Sequence, residues 1–288
     1  MKGGDGVKVR GREGVALLTA LGVLVILGLL GSVFLAHMRL EAAYAVRDAQ
    51  QLQAHYLAMA GVQDAVSRLS LDSPLTDSSV DPWWTGTSPE MTRLGDGGYR
   101  LIVTDESSRI NVLTASPQTL GTLVGADTEA LAAVLSFRSS RKLHAIDDFV
   151  AADLKADVLS KLLSLGTVAG TDKVNINTAG ADVLAALPGM DAEAGQIIVE
   201  FRKGVDGIDG TADDFVFAAP ADLVKTPGLT PVRVAPALPL ITVNSSVFRV
   251  ESVGSVLQGV RTVSNRKINA VIKRHQDGRI HIESWENI

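Results

Sequence analysis

From Val15 to Ala36 the chain carries no charged residue. As a helix rising about 1.5 Å per residue, this run reaches roughly 33 Å, close to the hydrocarbon thickness of a bilayer. Lys2, Lys8, Arg10 and Arg12 lie upstream of it. The positive-inside tendency keeps them cytoplasmic, so the pattern predicts one membrane span with the rest of the chain beyond the cytoplasm. A secretory signal has a shorter apolar core closed by a small-x-small cleavage site. Gly28, Gly31 and Ser32 mimic such a site, but the apolar texture runs on through them.

After the span, Met38 to Ser70 contains no proline, and Leu40, Tyr44, Ala58, Val62 and Val66 recur as an apolar stripe. This spacing predicts one continuous helix from the membrane into a water-soluble part. Ser70 to Gly98 is rich in Ser, Thr, Asp, Pro and Gly, and reads as a loop anchored by Trp83 and Trp84, buried against the helix or, as the alternative, touching lipid or a partner. Tyr99 to Asp105 reads as a strand. Matching strands come much later, over Val247 to Arg274 with turns near Gly254 and Gly259, and over Ile280 to Trp285 as an edge. Sheet segments on both sides of a helical middle make that middle an insertion.

The insertion repeats itself. RINVLTASPQTLGTLVGADTEALAAVLSFRSS, Arg109 to Ser140, matches KVNINTAGADVLAALPGMDAEAGQIIVEFRKG, Lys173 to Gly204. Each copy has a β-branched residue, Asn, two positions, Thr-Ala, a helix, a Gly turn, a second helix and Phe-Arg. Such a unit needs its neighbour to close a core. Thr114 and Thr178 suit the N-cap region, and Gly125 and Gly189 suit the turn between helices. Asp147 and Asp148 suit the start of a further helix, where the dipole favours carboxylates.

In VDGIDGTADDF, Val205 to Phe215, the carboxylates of Asp206, Asp209, Asp213 and Asp214 are interleaved with Gly207 and Gly210. Spacing leaves two readings open: a solvated acidic loop, or a calcium site in which carbonyls such as those of Ile208 and Thr211 assist, since calcium takes six to eight hard oxygens. The EF-hand spacing and closing Glu are absent. His37, His55, His144, His275 and His281 lie far apart without metal-ligand spacing. His55 and His144 are read as structural or surface residues. With no cysteine, no GxSxG and no phosphate-binding loop, no nucleophile constellation stands out, and no catalytic role is assigned.

Residues together now carry a resemblance. A basic leader ending in Gly14, then Val15, ALL, a long apolar helix and AHYLAMAGVQDAVSRL resemble a type IV pilin-like protein, and specifically the type II secretion minor pseudopilin K, or general secretion pathway protein K, family. The resemblance implies that prepilin peptidase cuts after Gly14 and methylates the new amine of Val15. It implies an inner-membrane, single-pass protein with a periplasmic bulk. Most pilins carry Glu at the fifth mature position; Thr19 stands there, and the resemblance implies a K subunit at a filament tip, of which the lack of that Glu is a feature. The implied partners are the I and J minor pseudopilins and the pseudopilus, and the implied cofactor is calcium in the helical domain, on Asp206, Asp209, Asp213 and Asp214.

The expected fold is α+β, a long N-terminal helix on a small antiparallel pilin-like sheet with a large inserted all-α domain of helix-hairpin-helix-like repeats. Its divisions are a leader at 1–14, the membrane part of the helix at 15–37, helix extension, loop and first strand at 38–108, the insertion at 109–240 and the final strands at 241–288. VNINTAGADVLAALPGM also resembles the helix-hairpin-helix module of DNA-binding and competence proteins, which leaves an anchored DNA-uptake protein as the alternative, beside a type IV pilus minor pilin. Such a module grips phosphate through hairpin amides supported by basic residues, but here the hairpin carries Asp191 and Glu193, and Lys173 to Gly204 holds three basic and four acidic residues. Of 27 Lys plus Arg and 32 Asp plus Glu, four basic and two acidic side chains lie in residues 1–14, leaving 23 against 30. That balance opposes a nucleic-acid groove, so no nucleic acid partner is expected.

Overall fold

The computed structural model describes residues 10–84 and 90–288. Most of the predicted leader, residues 1–9, lies outside the described residues. Helix α1 runs Arg10–Leu71 without interruption, in keeping with the absence of proline. Two compact units divide between Gln53 and Ala54. In the first, the apolar side chains from Val15 to Leu35 are solvent-facing, for example Leu17 at 71% and Phe34 at 62%. No protein covers them, and among the described residues this is the one helix long and apolar enough to cross a membrane. Leu40 and Tyr44, placed by the sequence on the apolar stripe, are exposed as well.

The second unit starts with the last turns of α1, whose buried face is Ala54, Ala58, Val62, Ala65 and Leu69. It packs on a five-stranded antiparallel sheet of order β1-β2-β7-β8-β9, with β1 at Thr92–Leu94, β2 at Gly97–Asp105, β7 at Val247–Gln258, β8 at Arg261–Arg274 and β9 at Ile280–Asn287. Alternate residues face the helix: Leu101 and Val103 from β2, Phe248 and Val250 from β7, and Ile268, Ala270 and Ile272 from β8, with Trp83 closing the cluster. Trp83 is fully buried, as expected, and meets Phe248 edge-on at 5.0 Å, whereas Trp84 is half-buried.

One strand reading needs correction. Gly259, with φ +66, does turn the chain between β7 and β8, but Gly254 lies in mid-strand, paired with Tyr99 and Arg266. It is glycine because α1 lies on top of it: an added Cβ would strike Ala54 O and Ala58 N, and come 2.9 Å from Leu57 C. Gly61 on the helix has the same origin, its missing Cβ leaving 2.8 Å to Tyr99 Cδ2. Small residues on both elements therefore let backbone approach backbone.

The chain leaves the sheet after β2 and returns at β7, where Asp105 and Phe248 are register partners. The insertion thus leaves and re-enters at neighbouring points. Its elements are β3 (Ile110–Asn111), α2 (Pro117–Leu123), α3 (Thr128–Ser140), α4 (Ala156–Leu165), β4 (Gly166–Thr167), β5 (Val174–Asn175), α5 (Ala181–Ala185), α6 (Ala192–Arg202), α7 (Pro231–Val234) and β6 (Ile241–Thr242). β3 pairs with β4 and β5 with β6, both in parallel. These pairs make each repeat longer than the matched sequences, 110–167 and 174–242, and carry the insertion slightly past residue 240. Both units feed one core, which holds Phe149 and Leu162 of the first and Ile198 and Phe217 of the second.

Gly254→Leu would have to push α1 off the sheet. We expect it to lower the denaturant midpoint of the full-length chain by an amount equal to about 3 kcal/mol or more, at the upper end for overpacking. An unchanged midpoint would mean that the helix does not lie on β7 as described.

Candidate functional site

The two copies of the repeat align at a fixed offset from Arg109 and Lys173 to Arg138 and Arg202, and their hydrogen bonds correspond. In the first, Asn111 Oδ1 accepts from Leu113 N at 3.0 Å; in the second, Asn175 Oδ1 accepts from Asn177 N at 3.0 Å. Arg138 Nη1 donates to Val112 O and Ala115 O, both at 3.0 Å, and Arg202 Nη1 to Ile176 O and Ala179 O at 2.8 and 2.9 Å. The Phe-Arg ending of each copy is thus a clamp: the second helix reaches back to the turn that begins the unit. Asp127 and Asp191 cap α3 and α6, and each is held by a cation from later in its unit, Lys155 at 2.8 Å and Arg233 at 2.6 Å.

Gly125 and Gly189 have φ of +78 and +80 and make the inter-helix turns as predicted. Thr114 and Thr178 do not cap. Ser116 caps α2, and the cap of α5 is Gly180, which has no side chain to offer. Thr178 instead donates to Asp105 at 2.5 Å, a bond available because the first turn of the unit is pressed against the end of β2. Asp148 does serve the start of the 3-10 helix at Ile146–Ala151, accepting from His144 N and Ala145 N.

The acidic loop follows directly from the clamp residue Arg202. Gly204, Gly207 and Gly210 all take positive φ, and an L residue at Gly204 would place its Cβ 2.5 Å from Asp213 O. These turns bring Asp206, Asp213 and Asp214 together, with one carboxylate oxygen of each within 4.8 Å of the others. Asp213 Oδ2 accepts from Val205 N at 2.7 Å and Asp206 N at 3.2 Å, and its Oδ1 from Thr211 Oγ1 at 2.8 Å. The Thr211 hydroxyl and those two amides hold its carboxyl down at about 2.

Asp209, expected in the same set, turns elsewhere. It pairs with Lys203 Nζ at 3.1 Å, and its Oδ1, which has no hydrogen-bond donor, lies 3.9 Å from Arg202 Nη2. Burial pushes the Arg202 guanidinium down from its usual range, while Asp209 and Asp214 pull it up. Three hard carboxylates on a glycine loop are the donor chemistry calcium takes, which Asp206, Asp213 and Asp214 supply, while Asp209 pairs with Lys203.

A second polar cluster, not foreseen from the sequence, fastens the insertion to the sheet. Asp105 is fully buried and accepts from Ser107 N at 2.7 Å, Asn175 Nδ2 at 3.1 Å, Thr178 Oγ1 at 2.5 Å and Ser245 Oγ at 2.6 Å. Burial raises its pKa, and those four donors oppose the rise. Beside it Arg274 at the end of β8 binds Asp77 at 2.5 and 2.6 Å and Asp72 at 3.0 Å. Ser245 joins the two halves, its N–H on Asp77 Oδ2 at 2.7 Å and its hydroxyl on Asp105. Glu106, next in sequence, holds the first unit by other residues: it accepts from the Thr167 hydroxyl and pairs with Arg249 at 2.7 Å. The Asn-x-x-Thr-Ala pattern of the second copy supplies Asn175 and Thr178 to this cluster; the acidic half, Asp105-Glu106, is a dipeptide without a motif.

At the other end of the chain, Gly14 has nothing within 4 Å of its Cα substituent position, Val15 is 61% exposed, and the Thr19 hydroxyl donates to Ala16 O at 2.9 Å inside its own helix.

Two outcomes are expected. The Asp213 carboxyl, followed by NMR, should titrate near 2, so whatever it adds to loop stability is in place above about pH 4 and fades as pH falls toward 2; titration near 4 would refute the loop geometry. Asp105→Ala strands four buried donors and should destabilise the chain by about 3 kcal/mol or more, read from its denaturant midpoint.

Residues 174–244 match the family model for type II secretion system protein K, a span that coincides with the second repeat. No match was found among curated proteins. Among solved structures, a chain of the GspK-GspI-GspJ complex of the enterotoxigenic Escherichia coli type 2 secretion system shares the fold at a TM-score of 0.61 and 14% identity, covering 88% of this chain and 99% of that one. The resemblance to the type II secretion minor pseudopilin K therefore holds, in sequence over the second repeat and in fold over most of the chain.

Proposed function

We propose that this chain is a minor pseudopilin of a type II secretion system, of the K kind, that starts or caps the pseudopilus together with I and J minor pseudopilins. The observation that carries this is the placement of the protein K match on one unit of a duplicated insertion, within a chain whose first described element is a 62-residue helix. The apolar first half of that helix would lie in the inner membrane with its basic end cytoplasmic and leave the bulk of the chain in the periplasm. Prepilin peptidase would cut after Gly14 and methylate Val15.

Thr19 bears on the tip position. A carboxylate in lipid is costly unless paired, and the usual pilin Glu is paired with the amine of a neighbouring subunit. A chain with Thr19, whose hydroxyl is satisfied within its own helix, makes no such demand. Calcium belongs to the same reading: Asp206, Asp213 and Asp214 would hold it, and it would supply charge neutralisation to a loop that otherwise crowds three carboxylates.

Co-expression with prepilin peptidase tests the proposal. The processed chain should begin at Val15, one methyl heavier by intact mass, and copurify with I and J subunits; Gly14→Leu should stay uncut. A chain cut after Gly31 or Ala36, or one that binds duplex DNA with the steep salt dependence of phosphate contacts, would overturn it.

A further inference from the structure

Residues 72–84 form the strap that leads out of α1. Asp77 of this strap and Asp105 at the end of β2 are both fully buried, and one residue joins them. Ser245 N donates to Asp77 Oδ2 at 2.7 Å, while Ser245 Oγ donates to Asp105 Oδ2 at 2.6 Å. Asn175 Nδ2 closes the group, reaching Asp77 O at 3.0 Å, Asp105 Oδ2 at 3.1 Å and Ser245 Oγ at 3.0 Å. The strap, the first turn of the second repeat and the return to β7 therefore meet on two carboxyl groups.

One guanidinium serves them. Arg274 at the end of β8 places Nη2 on both Asp77 oxygens, at 2.5 and 2.6 Å, and directs Nη1 to Asp72 at 3.0 Å, while its Nε is buried without a partner. The other charged neighbours add no free cation: Asp81 on the strap accepts from Ser78 N at 2.6 Å, and Glu106 beside Asp105 is matched by Arg249 at 2.7 Å. The second repeat brings only the neutral Asn175 and Thr178. No other ion pair among the described residues ends on Asp77 or Asp105, and two buried carboxyls so joined cannot both ionise without strong repulsion. Their donors differ in what they can do with a proton. Arg274 Nη2 and Ser245 N can only donate, whereas Asp105 Oδ2 faces the hydroxyls of Thr178 at 2.5 Å and Ser245 at 2.6 Å, and a hydroxyl can accept as well as donate. A carboxylic acid at Asp105 thus keeps its hydrogen bonds by reversing one of them. Burial raises both carboxyls, Asp77 to about 7 in spite of Arg274, and a pair in this contact titrates as a unit.

We infer that Asp77, Ser245 and Asp105 form a proton-dependent lock: one proton shared by the two carboxyls, seated on Asp105, keeps the strap and the second repeat joined to the sheet, and its loss leaves two like charges at the join. The insertion is then held more firmly in mildly acidic than in alkaline surroundings. A carboxyl raised in the folded state keeps its proton there and ionises freely once unfolded, so its stabilisation is full below about pH 4 and is lost as pH rises through about 7. As a carboxylate Asp105 depends on all four of its donors; as an acid it depends on them less. The lock is separate from the calcium reading, since Asp206, Asp213 and Asp214 make no contact with the pair.

The full chain in detergent micelles tests this by unfolding and by infrared spectroscopy. From about pH 6 to about pH 8 the folded-to-unfolded ratio, read from denaturant midpoints, should fall about tenfold, the change for one proton leaving near 7. Infrared difference spectra should show the carbonyl band of a protonated carboxylic acid at about pH 6 that fades above about pH 8. Asp105→Asn puts an amide where the acid stands and should remove the band and flatten the fall. Asp77→Asn takes away the like charge and should move both the fall and the fading of the band to lower pH. A ratio that is level or rises over this range, a missing band, or a band or fall that survives Asp105→Asn overturns the lock. Should Asp105→Asn fail to fold, the band of the unaltered chain and its shift in Asp77→Asn decide: both present uphold the lock, and either one absent overturns it.

Discussion

A carboxylate buried where the first long strand ends is the constraint on which the rest of the second unit depends. Asp105 has no cation of its own and is satisfied by donors from three different stretches of chain: its own turn, the start of the second repeat, and the return to the sheet at Ser245. A buried charge is tolerable only when all of these are in place. That requirement makes the junction all-or-none. Arg274 and its two aspartates add a neighbouring ion cluster that is equally intolerant of partial assembly. An insertion of well over a hundred residues is therefore not a loose appendage on the sheet.

Much of this was legible in the sequence wherever a period or a fixed spacing encoded it. The long helix followed from an unbroken apolar run and the lack of proline; the repeat, from an offset maintained across thirty residues; the inter-helix turns, from Gly125 and Gly189. What failed were positions whose identity is set by a partner far away in the chain. Gly254 reads as a turn to any local rule, yet it sits in mid-strand because Ala54 and Ala58 of α1 need its space. Thr178 reads as a cap, yet its hydroxyl belongs to Asp105.

The acidic loop shows the same division. Its carboxylates and glycines were evident, and three of the four aspartates converge. Asp209 departs toward Lys203, with Arg202 nearby, and nothing in the spacing of VDGIDGTADDF announces those neighbours. Ser79, which ties the loop to the strap, lies 135 residues earlier, beyond the reach of any local pattern.

The two repeats correspond residue for residue only as far as Arg138 and Arg202. Beyond that point the first proceeds almost at once to Leu143 and its 3-10 helix, whereas the second carries the glycine and aspartate loop before Phe217 re-enters the core. The arginine closes each helical pair upon itself before the chain returns to the core at Leu143 in one copy and at Phe215 and Phe217 in the other. Length added there is tolerated without unpicking the helical pair, which makes the position after the clamp a seam at which the two copies differ by a whole loop.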